Sequence, residues 1–218
     1  MKTNFLLVLF LVFFITKSEA QKFGVQAGAT FYSFKDKIET LTLNADSKVG
    51  VTVGVIASLP ISRSIAFMPS LNFTQKGGSL SGFTDSADQI KIHYTFNYLE
   101  LPLNFVYNIP VKGGEIFVGA GPNIGWALGG KEKANGESSD LSFGSGTDNQ
   151  FKALEFGANV LVGFKSNNGL FVTANYNPGL TDISNIESAD VDFHNHGFGI
   201  RLGIMLHARA EKKSSESQ

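Results

Sequence analysis

Charge is scarce in the interior of this sequence, so the places where it occurs are informative. Glu100, Glu155 and Arg201 each sit in the middle of a run in which apolar residues alternate with small or polar ones, and each falls on the small-polar phase. Two carboxylates and a guanidinium brought together could form a catalytic centre or a structural ion pair, since both perturb proton affinities. Nothing nearby supplies a nucleophile, so the ion pair is the expected role, with Arg201 bound to Glu100, Glu155 or both. His194-Asn195-His196 puts two imidazoles on one strand face. A structural zinc site wants four nitrogen or sulfur ligands, no companion set has suitable spacing, and no metal site is assigned. Gly119-Ala120-Gly121-Pro122-Asn123-Ile124-Gly125 has the look of a loose nucleotide loop, but that fingerprint needs a helix after it, and alternation runs straight through. No serine elbow occurs. The expectation is a chain with no catalytic residues, no cofactor and no enzymatic activity.

The elements that must carry these residues have a period of two. Phe23, Val25, Ala27, Ala29 and Phe31 alternate with Gly24, Gln26, Gly28, Thr30 and Tyr32. Seven further runs follow the same pattern, centred on Val53, Leu71, Leu103, Ala120, Ala158, Val172 and Ile200. Their lengths approach the ~9–11 residues a tilted strand needs to cross a bilayer, and an even number of antiparallel strands can close and leave no edge in lipid. The fold expected is all-β: an eight-stranded antiparallel up-and-down transmembrane β-barrel.

The bulk composition agrees. Only 17% of residues are charged, the net charge is −1, and there are 24 glycines, 20 phenylalanines and no cysteine. Disulfide scaffolds and thiolate chemistry are excluded, and there is no basic footprint for nucleic acid. Residues 1–20 read as a secretory signal, with Lys2 ahead of an apolar run at 5–15 and small residues at Ser18 and Ala20. Cleavage is expected near Ala20-Gln21. The run is too short for a helical span of about 20 residues, and none longer follows. Residues 21–208 then form the barrel domain, and 209–218 a polar C-terminal tail.

The connections supply orientation. Segments 34–47, 77–89, 129–150 and 179–194 are long, while 59–63, 109–114 and 166–169 are short. This strict alternation matches outer-membrane barrels, with short periplasmic turns and longer extracellular loops. The Gly- and Ser-rich segment 129–150 has few anchors for a core and is expected to be mobile. The pleat assigns the faces. An Arg at the lipid-facing midplane would cost ~2–4 kcal/mol, so the small-polar face carrying Glu100, Glu155 and Arg201 must point inward. An eight-stranded lumen is just wide enough for side chains to fill it, which makes the barrel plugged. Aromatic belts at the two interfaces are expected from Phe31, Tyr94, Trp126 and Tyr176 at the outer end, and from Phe23, Tyr107 and Phe164 at the periplasmic end.

The string Tyr98-Leu99-Glu100-Leu101-Pro102-Leu103-Asn104-Phe105 resembles a segment of the PorT-like, "porin family" outer-membrane β-barrel proteins of the Bacteroidetes. The start Gln21-Lys22-Phe23-Gly24-Val25, the Gly119-x-Gly121-Pro122 segment and the closing Gly197-Phe198-Gly199-Ile200-Arg201-Leu202-Gly203 support it. The resemblance implies a Gram-negative outer-membrane location and an eight-stranded barrel; one branch is associated with a protein secretion system.

The leading expectation is a monomeric structural, adhesive or accessory barrel acting through its extracellular loops. Its partners would be outer-membrane lipid, lipopolysaccharide and proteins met by those loops, with no nucleic acid. Two alternatives stand beside it. A soluble exported lipocalin-like barrel binding a small apolar ligand would need the apolar face inside. A lipid-modifying outer-membrane enzyme would need catalytic residues at the outer rim.

Overall fold

The structure is a computed structural model that describes residues 21–36, 45–83, 89–134, 136–144, 146, 149–185 and 193–206. The signal segment and the polar tail lie outside them. The described residues contain no helix. The strands are β1 (Lys22–Asp36), β2 (Ala45–Pro60), β3 (Ile65–Phe83), β4 (Gln89–Val111), β5 (Gly114–Ala134), β6 (Glu137–Leu141), β7 (Leu154–Ser166), β8 (Leu170–Pro178) and β9 (Phe193–Leu206). Their order around the sheet is β4-β3-β2-β1-β9-β8-β7-β5, and β4 pairs with β5 to close the ring. Eight antiparallel strands thus form a closed barrel. The short β6 continues along the edge of β5 above β7: Gly130 to Ala134 pair with β6, whereas Gly114 to Trp126 pair with β7.

The alternation of side chains is the alternation of faces. Val25, Val49, Val51, Val53, Val55, Phe105, Val160, Val162, Ile200 and Leu202 are exposed on the outside. Gln26, Thr52, Asn72, Glu100, Asn104, Glu155, Asn159, Thr173 and Arg201 are buried within. This is the reverse of a soluble ligand-binding barrel. Eight strands leave so little room that inward rings need a partner without a side chain. Phe117 lies over Gly163 and Phe171 over Gly203, and a methyl group built on either glycine would sit 2.3 Å from the ring. Tyr32 covers Gly197 in the same way, the aromatic-over-glycine arrangement that pins register in curved sheets.

Three connections are tight, at residues 61–64, 112–113 and 167–169. Gly113 and Gly169 both adopt φ of 90°, the conformation that costs glycine least. These turns share one end of the barrel. At the other end the strands extend further than the hydrophobic pattern does. Segment 77–89, read as loop, is largely ladder, with β3 and β4 paired as far as Phe83 and Gln89. Pairing outlasts amphipathicity there because the outward residues turn polar: Gln75 Nε2 donates to Asn97 Oδ1 at 3.4 Å, and Lys48 Nζ donates to Thr95 Oγ1.

The described residues of segment 129–150 also carry regular structure that their composition does not suggest. They hold the end of β5, all of β6, and two anchors, Leu141 and Phe143, that pack against the aromatic rings at the mouth of the barrel.

Candidate functional site: a sealed lumen

The lumen is filled in three layers. At the short-turn end, Ile56, Ala66, Met68, Val106, Phe117, Phe171 and Met205 form one buried apolar cluster. The inward phase is therefore not uniformly polar; its lowest third is a hydrophobic plug. Cross-strand and diagonal pairs on one face stand close enough for such side chains to touch.

Above the plug lies a polar belt. Gln26 Nε2 donates to Asn72 Oδ1 at 2.7 Å, and Asn159 Nδ2 donates to Asn104 Oδ1 at 2.8 Å. At its top, Lys76 Nζ sits 2.9 Å from Glu100 Oε1 and 2.9 Å from Glu155 Oε2, all three side chains at least 95% buried. The rings of Tyr32 and Tyr98 flank the ammonium, with centroids at 5.0 and 4.5 Å. Both carboxylates have a further donor: Asn123 Nδ2 at 3.1 Å from Glu100 Oε1, and Asn195 Nδ2 at 3.1 Å from Glu155 Oε2. Asn177 Nδ2 donates to Tyr32 Oη at 2.9 Å. Burying charge is tolerable only with such pairing. The gap bounded by Lys76, Asn123, Glu155 and Asn177 leaves no room for a water molecule. The cluster can hold strands together.

Glu100 and Glu155 come together, and the cation in direct contact with them is Lys76, which the sequence did not single out; the expected direct pair with Arg201 is not formed. The topology explains why. Arg201 is on β9, four strands from β4 in either direction around the ring, so it stands on the wall opposite Glu100. Lys76 is on β3, next to β4. Arg201 is buried in register with Gly28 and Thr173, and its Nε and Nη2 have no hydrogen-bond partner. Among the described residues, the buried charges are Lys76 and Arg201 against Glu100 and Glu155, a balanced set. Lys76 could have been found, because Ser70, Asn72, Thr74 and Lys76 keep one phase. Gln75, by breaking the apolar outward series after Phe73, made the strand seem to end.

The third layer closes the mouth. Phe96, Tyr98, Ala127, Leu141 and Ile183 form a second buried cluster, with Tyr94, Phe143 and Phe151 packed on it. Phe96 meets Phe151 edge to face with centroids 5.1 Å apart, and Phe143 at 5.8 Å. Phe96, Tyr98 and Ala127 come from β4 and β5, while two loops deliver Leu141, Phe143, Phe151 and Ile183 and are tied to each other. Lys152 N donates to Ile183 O at 2.8 Å, Lys152 Nζ reaches Asp182 Oδ2 at 3.1 Å, and Asn185 Nδ2 donates to Gly144 O at 2.9 Å.

Among the belt residues, Phe31, Trp126 and Tyr176 lie on the outward face near the loop end, with Tyr176 against Phe198 at 4.8 Å. Phe23, Tyr107 and Phe164 are exposed on the outward face near the short turns. Tyr94 is a correction. It shares the inward phase of Phe96 and Tyr98 and stacks on Phe96 at 6.1 Å, so it belongs to the cap. The glycines of 119–125 lie within the continuous strand β5. His194 and His196 are at the start of β9, on either side of the inward, fully buried Asn195.

A closed eight-stranded barrel with an apolar wall and a filled lumen defines an outer-membrane type of β-barrel. The outer membrane protein beta-barrel domain family matches residues 19–185, and the chain belongs to that family. Solved structures similar to it include the attachment invasion locus protein Ail of Yersinia pestis, 11% identical with a TM-score of 0.43, covering 85% of this chain and 98% of Ail. The outer membrane enzyme PagL is 15% identical, with a TM-score of 0.40, covering 82% of this chain and 98% of PagL. OprG from Pseudomonas aeruginosa is 11% identical, with a TM-score of 0.42, covering 87% of this chain and 97% of OprG. No curated protein matches the sequence.

Proposed function

We propose that this protein is a non-conducting outer-membrane barrel that serves as a structural or adhesive platform for its extracellular loops and has no catalytic activity. The observation that carries this reading is the closure of the lumen at three levels: the cluster around Phe117 and Phe171, the Lys76 triad, and the aromatic cap around Phe96. A solute would have to displace all three. Export by a cleaved signal at residues 1–20, a monomeric state, and a place among the PorT-like barrels of the Bacteroidetes belong to the same reading. The apolar run at 5–15 supports the first of these and the string from Tyr98 to Phe105 the last.

Liposome swelling tests it. Vesicles carrying the refolded protein should swell in arabinose no faster than protein-free vesicles. Swelling at the rate of an open porin would overturn the reading. Rapid swelling only after removal of residues 142–152 would assign the seal to the cap alone.

A further inference from the structure

Below the plug, the mouth of the lumen at the short-turn end holds a polar cup of about 130 Å³, lined by Lys22, Glu115, Lys165, Asn167 and Met205. Met205 also belongs to the plug, so the cup abuts the apolar cluster. Lys22, Glu115 and Lys165 keep the inward phase of Gln26, Phe117 and Glu155 on their strands. The cup therefore opens at the lumen mouth and not on the lipid-facing wall. β1 and β5 stand four strands apart in either direction around the ring, so Lys22 and Glu115 approach from opposite walls. Glu115 and Lys165 are cross-strand partners, with Nζ 2.5 Å from Oε1. Backbone bonds tie the rim: Asn167 N donates to Gly113 O at 3.1 Å, Gly169 N to Ser166 O at 2.9 Å, and Met205 N to Gly169 O at 2.9 Å. Among the described residues, Lys22 has no carboxylate within ion-pair distance. The described cations at this end are Lys22, Arg63, Lys112 and Lys165, and Glu115 is the one described carboxylate.

We infer that this cup receives a glutamate or aspartate side chain from an acidic segment of a periplasmic protein. The placement of the short turns in the periplasm rests on the outer-membrane reading above. Charge and size carry the inference together. Lys22 and Lys165 against Glu115 leave the cup with an excess of positive charge. An ammonium has three donors, so Lys165 can keep Glu115 and still donate to a second carboxylate. Sites for free small molecules measure about 300–1,000 Å³. The cup is smaller and suits the end of one side chain presented by a larger partner. A membrane lipid fits poorly, because its headgroup lies outside the wall while these three residues face inward.

Amide chemical shifts of the refolded protein in detergent micelles test this with two blocked peptides, acetyl-Gly-Ser-Glu-Ser-Gly-amide and its glutamine counterpart, titrated into the millimolar range. The glutamate peptide should move the amides of Gly114, Ser166, Asn167 and Gly169, and the glutamine peptide should not. Lys22→Gln should weaken binding about tenfold, the effect of one hydrogen bond to a charged group. Arg63→Gln, on a turn outside the cup, should leave it unchanged. Equal shifts from the two peptides, or equal losses in the two variants, would overturn the site. Movement of the same amides in the peptide-free chain on Glu211→Gln with Glu216→Gln would assign the cup to the chain's own tail and overturn the partner. Heat-modifiable migration on gels separates the two claims. A chain without it would sink the membrane-barrel reading, whereas a heat-modifiable chain indifferent to the glutamate peptide would sink the cup only.

Discussion

The two ends of the lumen are both closed by apolar side chains, yet they are built differently. At the short-turn end, the plug residues all come from spanning strands, and each ring rests on a glycine of the neighbouring strand, as Phe117 does on Gly163. At the loop end, Phe143, Phe151 and Ile183 come from connections laid over the mouth and tied by a few hydrogen bonds and one ion pair. Closure by strands is inseparable from the barrel, because opening it means unpairing the sheet. Closure by loops can be lost while the sheet stays intact, the sort of local opening expected where contacts are few. The Lys76 triad lies between and belongs to the first kind, since it joins β3, β4 and β7 across the lumen.

The largest expected effect follows from the triad. Lys76→Met would leave Glu100 and Glu155 facing each other without a cation. Removing one partner of a buried ion pair costs about 3–5 kcal/mol, and the loss should appear as a lower urea midpoint of the refolded barrel. Converting the group as a whole, with Lys76→Met, Arg201→Met, Glu100→Gln and Glu155→Gln together, should restore most of that stability, because replacing all four buried charges removes the desolvation penalty as well. If the single and quadruple variants are equally unstable, the ion pairs are not what holds the strands here.

Next come the two ends themselves. Phe117→Ala should cost about 3–5 kcal/mol of unfolding free energy, the usual penalty for a buried ring. Phe151→Ala should cost about 1 kcal/mol or less, in the range of changes outside a packed core, but should speed proteolysis and amide exchange within residues 141–152. Equal losses of global stability in the two variants would abolish the distinction between the ends.

How much of this the sequence revealed depends on which physical force sets each feature. Lipid demands an apolar outer face at every position it touches, so the period of two marked all eight spanning strands and sent Glu100 and Glu155 inward. Above the membrane that demand stops. Gln75 and Asn97 can face outward at no cost, and the continuation of β3 and β4 left no hydrophobic trace. The triad was half legible for the same reason. Phase is local information and survives in the sequence, but the choice of Lys76 over Arg201 depends on which strands adjoin around the ring. Tyr94 shows the converse error, since proximity to an outer end was read as exposure when its phase, shared with Phe96 and Tyr98, pointed in. The cap was missed because Leu141, Phe143, Phe151 and Ile183 are isolated among polar residues, and only their convergence from two loops makes them a core.

The smallest expected effect concerns the tie between those loops. Lys152 and Asp182 are partly exposed, with side chains 45% and 27% accessible, so Asp182→Asn should change global stability by no more than about 1 kcal/mol. Its consequence should be local and dependent on salt. The same residue also orders its own loop, because Asp182 Oδ1 accepts from Ser184 N at 3.0 Å, a contact that asparagine can preserve through its remaining carbonyl oxygen. Asparagine therefore removes charge while keeping the turn. Amide exchange at Ile183 and Ser184 should rise in the variant at low ionic strength and approach the wild-type rate in 1 M salt, where the Debye length of about 3 Å leaves little of the attraction in either protein. An exchange difference that persists unchanged at high salt would mean that Asp182 acts through its hydrogen bonds and not through its charge, and the cap would then resemble the plug more closely than its exposed ion pair suggests.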